Sequence, residues 1–299
     1  MKKVVTFGEV MVRLAPSEHD RFVQSCPGSV DLTFGGAESN VAASISILGG
    51  SSRFVSALPQ HAIADAFVRQ MRGFKVDVDH VLRREAGRFG IYYVETGANQ
   101  RPSRVIYDRD YSAVSMCSGE EYDWDAIFAD AQWLHISGIT LAISETATHA
   151  AILAAEKAQA AGVKVSCDLN FRKNLWRWRS GSDARSLARS VMPDFLDNVN
   201  VIIGNEEDAA DVLDIHAGDT DVHSGSLEIA HYPDVARQIA HRFNNVEQVA
   251  ITLRESISAT HNNWGAMLFD VSNDTAVFAP INGGQYEPYE IRNIVDRVG

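Results

Sequence analysis

The sequence predicts an α/β protein in three layers, with helices on both faces of a mainly parallel central sheet and a small β-flap as a lid over one end of the sheet. Strand-like runs alternate with helical patterns along most of the chain, as parallel pairing requires, because each crossover needs room for a helix. Two regions, 11–34 and 88–110, break this alternation. The runs GRFGIYYVET and SRVIYDR in the second region are spaced as an antiparallel hairpin. We therefore expect one domain over residues 1–299, with the lid strands in these two regions.

Local signals place the individual elements in order along the chain. Residues 4–7 are β-branched or aromatic, which is typical of a strand. Ser144 is a good N-cap for an Ala-rich helix that Gly162 ends, and the alternating run VKVSCDLNF follows it as a strand. The same criteria predict helices at 37–48, 62–72, 207–213 and 233–243, strands at 53–58, 199–203 and 248–253, and a hairpin from AMLFDV and TAVFAPI.

Composition places the chain among ordinary soluble globular proteins. Of its 299 residues, 45% are hydrophobic and 22% are charged, and 39 acidic residues against 27 basic ones give a net charge of −12. This excess of negative charge repels a phosphate backbone, so we expect no nucleic-acid partner. The three cysteines lie far apart, and no apolar run reaches the roughly 20 residues that cross a bilayer. We expect no membrane association and a reducing, cytoplasmic location.

Several common catalytic motifs are absent from the sequence. It contains no GxxxxGK[ST] phosphate loop, no GxGxxG after the first strand, no HExxH and no GxSxG. These absences exclude a Walker-type nucleotide site, a dinucleotide fingerprint and the simplest zinc-protease and serine-hydrolase sites. His135 lies in the apolar run WLHISGI, and we interpret it as a core histidine rather than as a ligand.

The segment FGGAESNVAAS, residues 34–44, is the first candidate for a ligand site. Gly35 and Gly36 permit close approach of the backbone to a ligand, and the helix that follows directs free N–H groups at the same point. Asn40, one turn further on, can both donate to a hydroxyl and accept from it. The alternative is a plain Gly-Gly turn before a helix, with Asn40 on the surface.

The segment DLNFR, residues 168–172, ends a strong predicted strand. If the strand continues through it, Asp168, Asn170 and Arg172 share the polar face while Leu169 and Phe171 face the core. A carboxylate, an amide and a guanidinium that converge at the carboxyl end of a parallel strand indicate a bound ligand. The planar fork of an arginine suits a carboxylate or a phosphate. A surface salt bridge between Asp168 and Arg172 is the alternative.

The predicted flap carries a third group of candidates. Tyr92 lies on one strand, and Tyr107 and Arg109 lie two residues apart at the end of the next, so they face the same side. Tyrosine hydroxyls beside a guanidinium suit an anionic sugar, whose hydroxyls and carboxylate they would bind. Cross-strand packing of the tyrosines, which stabilises an exposed hairpin, is the alternative.

The fourth candidate is GNEED, residues 204–208, directly after the predicted strand 199–203. Carboxylates beside an amide at a strand end are typical of a magnesium site that is bound largely through waters. The alternative for Glu206 and Glu207 is ordinary helix N-terminal chemistry, because acidic residues in a first turn complement the helix dipole.

Together these motifs resemble the PfkB, or ribokinase-like, family of sugar kinases over essentially the whole chain. The N-terminal GE strand, FGGAESN, HISGIT, DLNFR, GNEED and VAITLRE occur in the order that this family uses. Within it the sequence most resembles the 2-keto-3-deoxygluconate kinases, on the basis of VIYDR, the run from Arg172 to Trp176 and the paired tyrosines. The resemblance implies a ribokinase-like fold and ATP-dependent phosphorylation of 2-dehydro-3-deoxygluconate to its 6-phosphate.

A kinase for a neutral sugar, such as fructose or ribose, is the rival within the same fold. We argue against it because Arg109 and Arg172 would then lack an anion in a desolvated pocket.

The resemblance also implies roles for individual residues. The sugar acid would contact Gly35, Gly36, Asn40, Tyr92, Tyr107, Arg109 and Arg172. ATP would contact Asn205, Thr252, Arg254 and Gly299, and Mg²⁺ would be held by Asp168, Glu207 and Asp208. Two departures stand out: Asp208 closes an NxxE pattern that usually ends in Glu, and TLRESISATHNNWGA replaces the short TLG turn of many relatives.

The C-terminus is the largest departure from the family pattern. In relatives a GAGD-type loop follows a strand like IVDRVG, and its Asp is the catalytic base. The sequence stops at Gly299, the first glycine of such a loop. We therefore expect the base just after Gly299, an apparent C-terminal truncation, and no turnover by the 299-residue chain; the alternative is a binding-only relative. The exposed flap predicts a homo-oligomer, formed as a dimer through that sheet.

Overall fold

Residues 2–216 and 229–294 are described by a computed structural model, which has the α/β architecture expected from the sequence. Along these residues the strands are β1 (Lys3–Phe7), β2 (Met11–Ala15), β3 (Asp31–Gly35), β4 (Ser52–Val55), β5 (Ala57–Pro59), β6 (Leu82–Arg84), β7 (Gly90–Glu95), β8 (Arg104–Asp108), β9 (Ala131–Ser137), β10 (Lys164–Asp168), β11 (Val201–Gly204), β12 (Gln248–Ser258), β13 (His261–Asp270), β14 (Thr275–Ala279), β15 (Ile281–Asn282), β16 (Gln285–Tyr286) and β17 (Tyr289–Arg292). The α-helices are α1 (Phe22–Ser25), α2 (Ala37–Ile47), α3 (Ala62–Gly73), α4 (Trp124–Phe128), α5 (Gly138–Ala142), α6 (Glu145–Ala160), α7 (Ala184–Leu196), α8 (Glu206–Leu213) and α9 (Tyr232–Arg242). None of these helices is long and apolar enough to span a bilayer.

The central sheet is mainly parallel, as the alternation of elements predicts. Its strand order is β14-β13-β12-β11-β10-β9-β1-β4. The neighbours from β4 to β12 all pair in parallel, whereas β13 runs antiparallel to β12, β14 and β17. Helices flank the sheet, with α2 against β1 and β4 and α6 against β9 and β10. The carboxyl ends of β1, β9, β10 and β11 therefore lie along one edge, where ligands of such sheets bind.

A separate four-stranded sheet forms the flap. Its strand order is β3-β2-β7-β8, and β7 and β8 make the antiparallel hairpin expected from the sequence. Tyr92 of β7 lies directly opposite Tyr107 of β8, so both side chains project from the same face of the flap. The flap follows directly on β1 and leads into α2 through β3, which ties it to the ligand-binding edge of the central sheet.

The core between sheet and helices contains the Ala-rich helix at the predicted position. The Ser144 hydroxyl accepts a hydrogen bond from the Ala147 N–H at 3.0 Å, and Gly162 follows the helix at φ +70°. Its alanine face is fully buried in the main core. His135 is also buried there, with Nδ1 2.9 Å from the Ser166 hydroxyl, and burial lowers its pKa to about 4. These features fit a core histidine.

Two predicted strands differ from the observed ones. The predicted strand 53–58 is split into β4, which pairs with β1, and β5, which pairs with β6, because the chain leaves the central sheet between them. The predicted strand 163–171 ends early, at Asp168. The Asp168 side chain accepts from the Asn170 N–H at 3.2 Å, and Asn170 has φ +37°, so the chain turns there.

Candidate active site

The two glycines at the start of α2 are required by their neighbours. A Cβ at Gly35 would overlap the hydroxyl of Tyr92, and a Cβ at Gly36 would overlap the backbone carbonyl of Glu9. The loop between β3 and α2 is thus pressed between the flap on one side and the segment after β1 on the other. The FGG sequence is therefore more than a plain turn before a helix, because its glycines let three segments meet.

On the flap, the two tyrosines and the arginine lie side by side. The rings of Tyr92 and Tyr107 have centroids 6.2 Å apart, and the guanidinium carbon of Arg109 lies 5.7 Å from the centroid of the Tyr107 ring. Tyr92 is buried, whereas Tyr107 is 40% exposed. The tyrosines pack across strands, and through Tyr92 they also contact the glycine loop. We call Glu9, Gly35, Gly36, Tyr92, Tyr107 and Arg109 the loop–flap cluster.

Arg109 is paired with a carboxylate that the sequence did not indicate. Its Nη2 forms a buried ion pair with Oε2 of Glu9, and the two side chains are 5% and 2% exposed. Arg109 therefore has an anionic partner even without a sugar acid, contrary to the expectation that it would lack one with a neutral sugar. The partner comes from the segment after β1, 100 residues earlier in the chain, so no local pattern could reveal it.

A second group of candidate residues lines a cavity of about 440 Å³ at the carboxyl ends of β10 and β11 and beside the middle of β12. We call it the strand-end cavity. Arg172 lies here and not in the loop–flap cluster, and no ion pair joins it to Asp168 among the described residues. The predicted residues that share this lining are Asp168, Asn170, Arg172, Asn205, Glu207, Asp208, Thr252 and Arg254.

Asn205 and Asp208 are engaged in capping α8. The Asn205 side chain accepts from the Asp208 N–H at 2.7 Å, and the Asp208 carboxylate accepts from the N–H groups of Asn205 and Phe171 at 3.2 and 2.9 Å. This is a capping box, the helix N-terminal chemistry that the GNEED pattern left open. Since both Asp208 oxygens hold backbone groups, Asp208 is poorly placed to serve as a direct metal ligand.

Among the carboxylates that line the cavity, Asp168 has the pKa that departs furthest from its ordinary value. Burial first, and then the negative charge of Asp208, raise its pKa to about 6, while Arg172 acts in the opposite direction. No cluster of three or more His, Cys, Asp or Glu side chains in the described ranges could cage a metal by itself. A Mg²⁺ ion usually keeps several waters and binds through one or two carboxylates plus substrate phosphates. The neighbouring carboxylates of Asp168 and Asp208 fit this way of binding Mg²⁺.

Glu38, within the segment FGGAESN, is a buried carboxylate to which the sequence pattern gave no role. It is 1% exposed, and its Oε1 accepts from the Ser137 N–H, the Ser137 hydroxyl and the Thr140 hydroxyl at 2.8, 2.6 and 3.0 Å. Burial raises its pKa. Its charge also contributes to the raised pKa of Asp168, so Glu38 connects the glycine loop electrostatically with the strand-end cavity.

Three further positions complete the account of the predicted site residues. Asn40 is exposed on α2 rather than joined to the loop–flap cluster. Gly299 lies outside the described residues, as does most of the segment IVDRVG that precedes the loop in relatives. Trp264 was missed: it lies opposite Arg254 on β13, lines the cavity, and has its ring centroid 5.8 Å from the Arg254 guanidinium carbon.

Comparison with known proteins identifies the class to which this fold and site belong. The profile of the pfkB family carbohydrate kinases matches residues 1–253, most of the chain. The protein therefore belongs to the pfkB family of carbohydrate kinases, and the ribokinase-like architecture predicted from the sequence is confirmed by solved structures of the same fold.

Individual relatives carry more specific names. The chain is 37% identical over 213 residues to a 2-dehydro-3-deoxygalactonokinase of Haloferax volcanii, covering 71% of this chain and 64% of the relative. It is 32% identical over 185 residues to a fructokinase of Salmonella typhimurium, covering 58% and 53%. The chain thus spans less than two thirds of these curated relatives. A solved 2-dehydro-3-deoxygluconokinase of Thermotoga maritima matches with a TM-score of 0.85 at 40% identity, over 98% of this chain and 82% of that one.

Proposed function

We propose that this protein phosphorylates the primary hydroxyl of a 2-keto-3-deoxy sugar acid with ATP, converting 2-dehydro-3-deoxygluconate to its 6-phosphate. The observation that carries the proposal is the placement of Arg109 over Tyr107 on the flap, in contact with the glycine loop through Tyr92. A guanidinium among tyrosine hydroxyls is the donor set that a sugar carboxylate needs. The relatives named for deoxy-sugar-acid kinases support this choice.

In this proposal the loop–flap cluster binds the sugar acid and the strand-end cavity binds the triphosphate. Gly35 and Gly36 bring backbone groups close to the sugar, and Asn40 reaches a hydroxyl when the flap closes. Arg172, Thr252, Asn205 and Arg254 contact the phosphates. Phosphoryl transfer depends mainly on positioning and charge stabilisation.

The charge of the cavity explains why a divalent cation belongs to this proposal. Its lining contains the carboxylates of Asp168, Glu207, Asp208 and Asp211 against the guanidiniums of Arg172 and Arg254. Such a lining repels an unaccompanied triphosphate. Mg²⁺ would supply charge neutralisation between the phosphates and the protein. Asp168 is the carboxylate best placed to hold it, with Glu207 at the rim and Asp208 acting through water.

A neutral-sugar kinase is the second candidate, and one observation favours it. Glu9 already neutralises Arg109, so the loop–flap cluster does not need an anion in order to be charge-balanced. The fructokinase relative at 32% identity points in the same direction. The two candidates differ in whether the carboxylate of the sugar improves binding.

Calorimetric titration of the chain with 2-dehydro-3-deoxygluconate, its galactonate epimer and fructose separates the candidates. We expect both sugar acids to bind at least about tenfold more tightly than fructose, since a charge-assisted hydrogen bond contributes on the order of 1.5–3 kcal/mol. Equal or tighter binding of fructose would favour the second candidate. Detection of a phosphorylated sugar after incubation with ATP and Mg²⁺ tests turnover separately from binding.

We also propose that two copies associate through the outer face of the flap, in the cytoplasm. Leu32, Leu14, Tyr93 and Ile106 lie opposite one another across the four strands and so share one face. Leu32 and Ile106 are about half exposed, as expected of residues that a partner covers. Analytical ultracentrifugation of the wild type and of I106E tests this, because a charge on this apolar face should dissociate the dimer. The three cysteines form no disulfide in the described structure, which suits a reducing compartment.

A further inference from the structure

The ion pair between Glu9 and Arg109 is incomplete in a way that structural ion pairs seldom are. Both side chains are almost fully buried, yet Oε1 of Glu9 and Nε of Arg109 have no hydrogen-bond partner among residues 2–216 and 229–294. Buried polar atoms are nearly always satisfied, and a buried ion pair stabilises a fold only when its remaining atoms are satisfied too. Stability alone therefore does not account for this pair, and the two free polar atoms indicate that it serves a ligand.

The pair lies where the flap hairpin joins the body of the protein. Glu9 is the second residue after β1, and Arg109 directly follows β8. Gly90, the first residue of β7, completes the junction: a Cβ there would lie 3.0 Å from Oε1 of Glu9 and 3.3 Å from the Arg109 Cβ. The ion pair thus joins the central sheet to the hairpin at its base, next to the tyrosines and the glycine loop.

Competition for the guanidinium follows from simple electrostatics. Arg109 pairs with Glu9 through Nη2, so its charge is already balanced. An incoming carboxylate that binds the same guanidinium lies close to the Glu9 carboxylate. Two negative charges bound to one guanidinium in a buried site repel each other strongly. A sugar acid can use Arg109 fully only if Glu9 withdraws from it. A sugar without a carboxylate has no group that can take the place of Glu9.

We propose that Glu9 competes with the sugar acid for Arg109, holding the guanidinium in the empty site and yielding it to the carboxylate of a bound sugar acid. The inference rests on the proposed function, because it assumes that Arg109 faces the substrate. The displaced Glu9 carboxylate then accepts a hydrogen bond from a sugar hydroxyl, since an ionised carboxylate can only accept. Neutral sugars leave the Glu9–Arg109 pair intact and gain no contact from Arg109, so Glu9 lowers the affinity for sugar acids and leaves the affinity for neutral sugars unchanged.

The test compares the wild type with E9Q, in which the competing charge is removed. We expect E9Q to bind 2-dehydro-3-deoxygluconate about tenfold more tightly than the wild type does, because the sugar acid no longer displaces an anion. Fructose binding should change by less than about twofold, within ordinary scatter. The melting temperature of empty E9Q should fall, because buried Arg109 loses its counter-charge, and saturating sugar acid should restore it while fructose should not.

The control is D108N, which removes a different ion pair at the base of the same hairpin. Asp108 pairs with Arg88 through both carboxylate oxygens at 2.6 and 2.7 Å, and both side chains are about half exposed. D108N should leave the ratio of sugar-acid to fructose affinity as it is in the wild type. If loosening the base of the hairpin were enough to raise the affinity for sugar acids, D108N would behave like E9Q. That result would overturn the proposal.

The outcomes separate this inference from the function on which it rests. If the wild type does not bind sugar acids, the proposed function fails. If the wild type binds them but E9Q binds them no better, or less well, Glu9 supports Arg109 rather than competing for it, and only the present inference fails. Should E9Q not fold, E9D keeps the charge but its shorter side chain reaches Arg109 less well. We then expect E9D to bind the sugar acid about two- to threefold more tightly than the wild type.

Discussion

The hydroxyl of Tyr92 occupies the space beside Gly35 that a side chain at that position would fill. Both residues lie on the flap sheet, Tyr92 on β7 and Gly35 at the end of β3, the strand that leads into α2, so this contact limits how closely β7 approaches the glycine loop. The φ angle of Gly35 is not in the left-handed region. The glycine is therefore required by the tyrosine and not by the conformation of its own backbone.

This relationship predicts a specific rescue. G35A should destabilise the protein by about 1–3 kcal/mol, the usual cost of overpacking, because the Tyr92 hydroxyl must move. In the Y92F background the hydroxyl is gone, so the same substitution should cost much less. Urea unfolding of the wild type, G35A, Y92F and the double variant gives the coupling energy between the two positions, which we expect to be about 1 kcal/mol or more. Equal costs in both backgrounds would show that another atom opposes the methyl group.

The raised pKa of Asp168 predicts an unusual dependence of stability on pH. Its native pKa is about 6 against an ordinary 3.8, so between these values the folded protein keeps a proton that the unfolded chain has lost. The free energy of unfolding contributed by Asp168 therefore falls as pH rises from about 4 to 6 and is constant above.

D168N removes this penalty while it keeps the acceptor for the Asn170 N–H. It should exceed the wild type in stability above pH 6, by up to about 3 kcal/mol at 1.36 kcal/mol per pKa unit, and the difference should vanish below pH 4. Urea unfolding at several pH values measures it. A constant difference across the range would mean that Asp168 is ionised throughout.

The same group predicts how nucleotide affinity depends on pH. A protonated Asp168 cannot hold a cation, so ATP affinity in the presence of Mg²⁺ should fall below pH 6 by up to about tenfold per unit. Because the terminal phosphate itself titrates near pH 6, D168N serves as the reference: its affinity should be low and should show only the titration of ATP. Parallel curves for the two proteins would remove Asp168 from the cation site.

The fold was predictable from the sequence because its signals are local and repeated. Strand and helix periods alternate, and capping signals such as Ser144 and Gly162 depend only on neighbouring residues. The mainly parallel sheet and the β7–β8 hairpin follow from these signals. The prediction extended β10 beyond Asp168. The alternation of apolar residues does not reveal a side chain that competes for the hydrogen bonds of the backbone. The Asp168 carboxylate bonds the Asn170 N–H and turns the chain.

The candidate site was predictable only in part. Residues of one motif share an element, so most of DLNFR and GNEED could be assigned to one cavity in advance. Contacts between distant segments could not, and the Glu9–Arg109 pair is the clearest case. A carboxylate after β1 and a guanidinium after β8 carry no mutual signal in the sequence. The sequence therefore did not reveal that Arg109 already has a carboxylate partner, although Gly35, Tyr92 and Tyr107 lie near one another as expected.

Arg254 and Trp264 give a test of the extended hairpin β12–β13. The indole holds the guanidinium at the edge of the cavity, where a cation–π contact at a half-exposed site is worth about 0.5–1 kcal/mol. W264A should weaken ATP binding about two- to fivefold, whereas W264F, which keeps a ring, should weaken it less. R254A should lose more than either. If W264A binds ATP as the wild type does, the hairpin does not reach the nucleotide.

Glu38 predicts a link between the glycine loop and the strand-end cavity. In E38A the Ser137 N–H and two hydroxyls lose their acceptor, so we expect a loss of about 3 kcal/mol or more in stability. E38Q keeps an oxygen for these donors and removes the charge that helps to raise the pKa of Asp168. In E38Q the pH at which Mg²⁺-dependent ATP affinity declines should therefore be lower than in the wild type. The double variant E38Q/D168N should have the same pH dependence as D168N. An unchanged pH profile in stably folded E38Q would mean that the charge of Glu38 is screened from Asp168, and that the two halves of the site titrate independently.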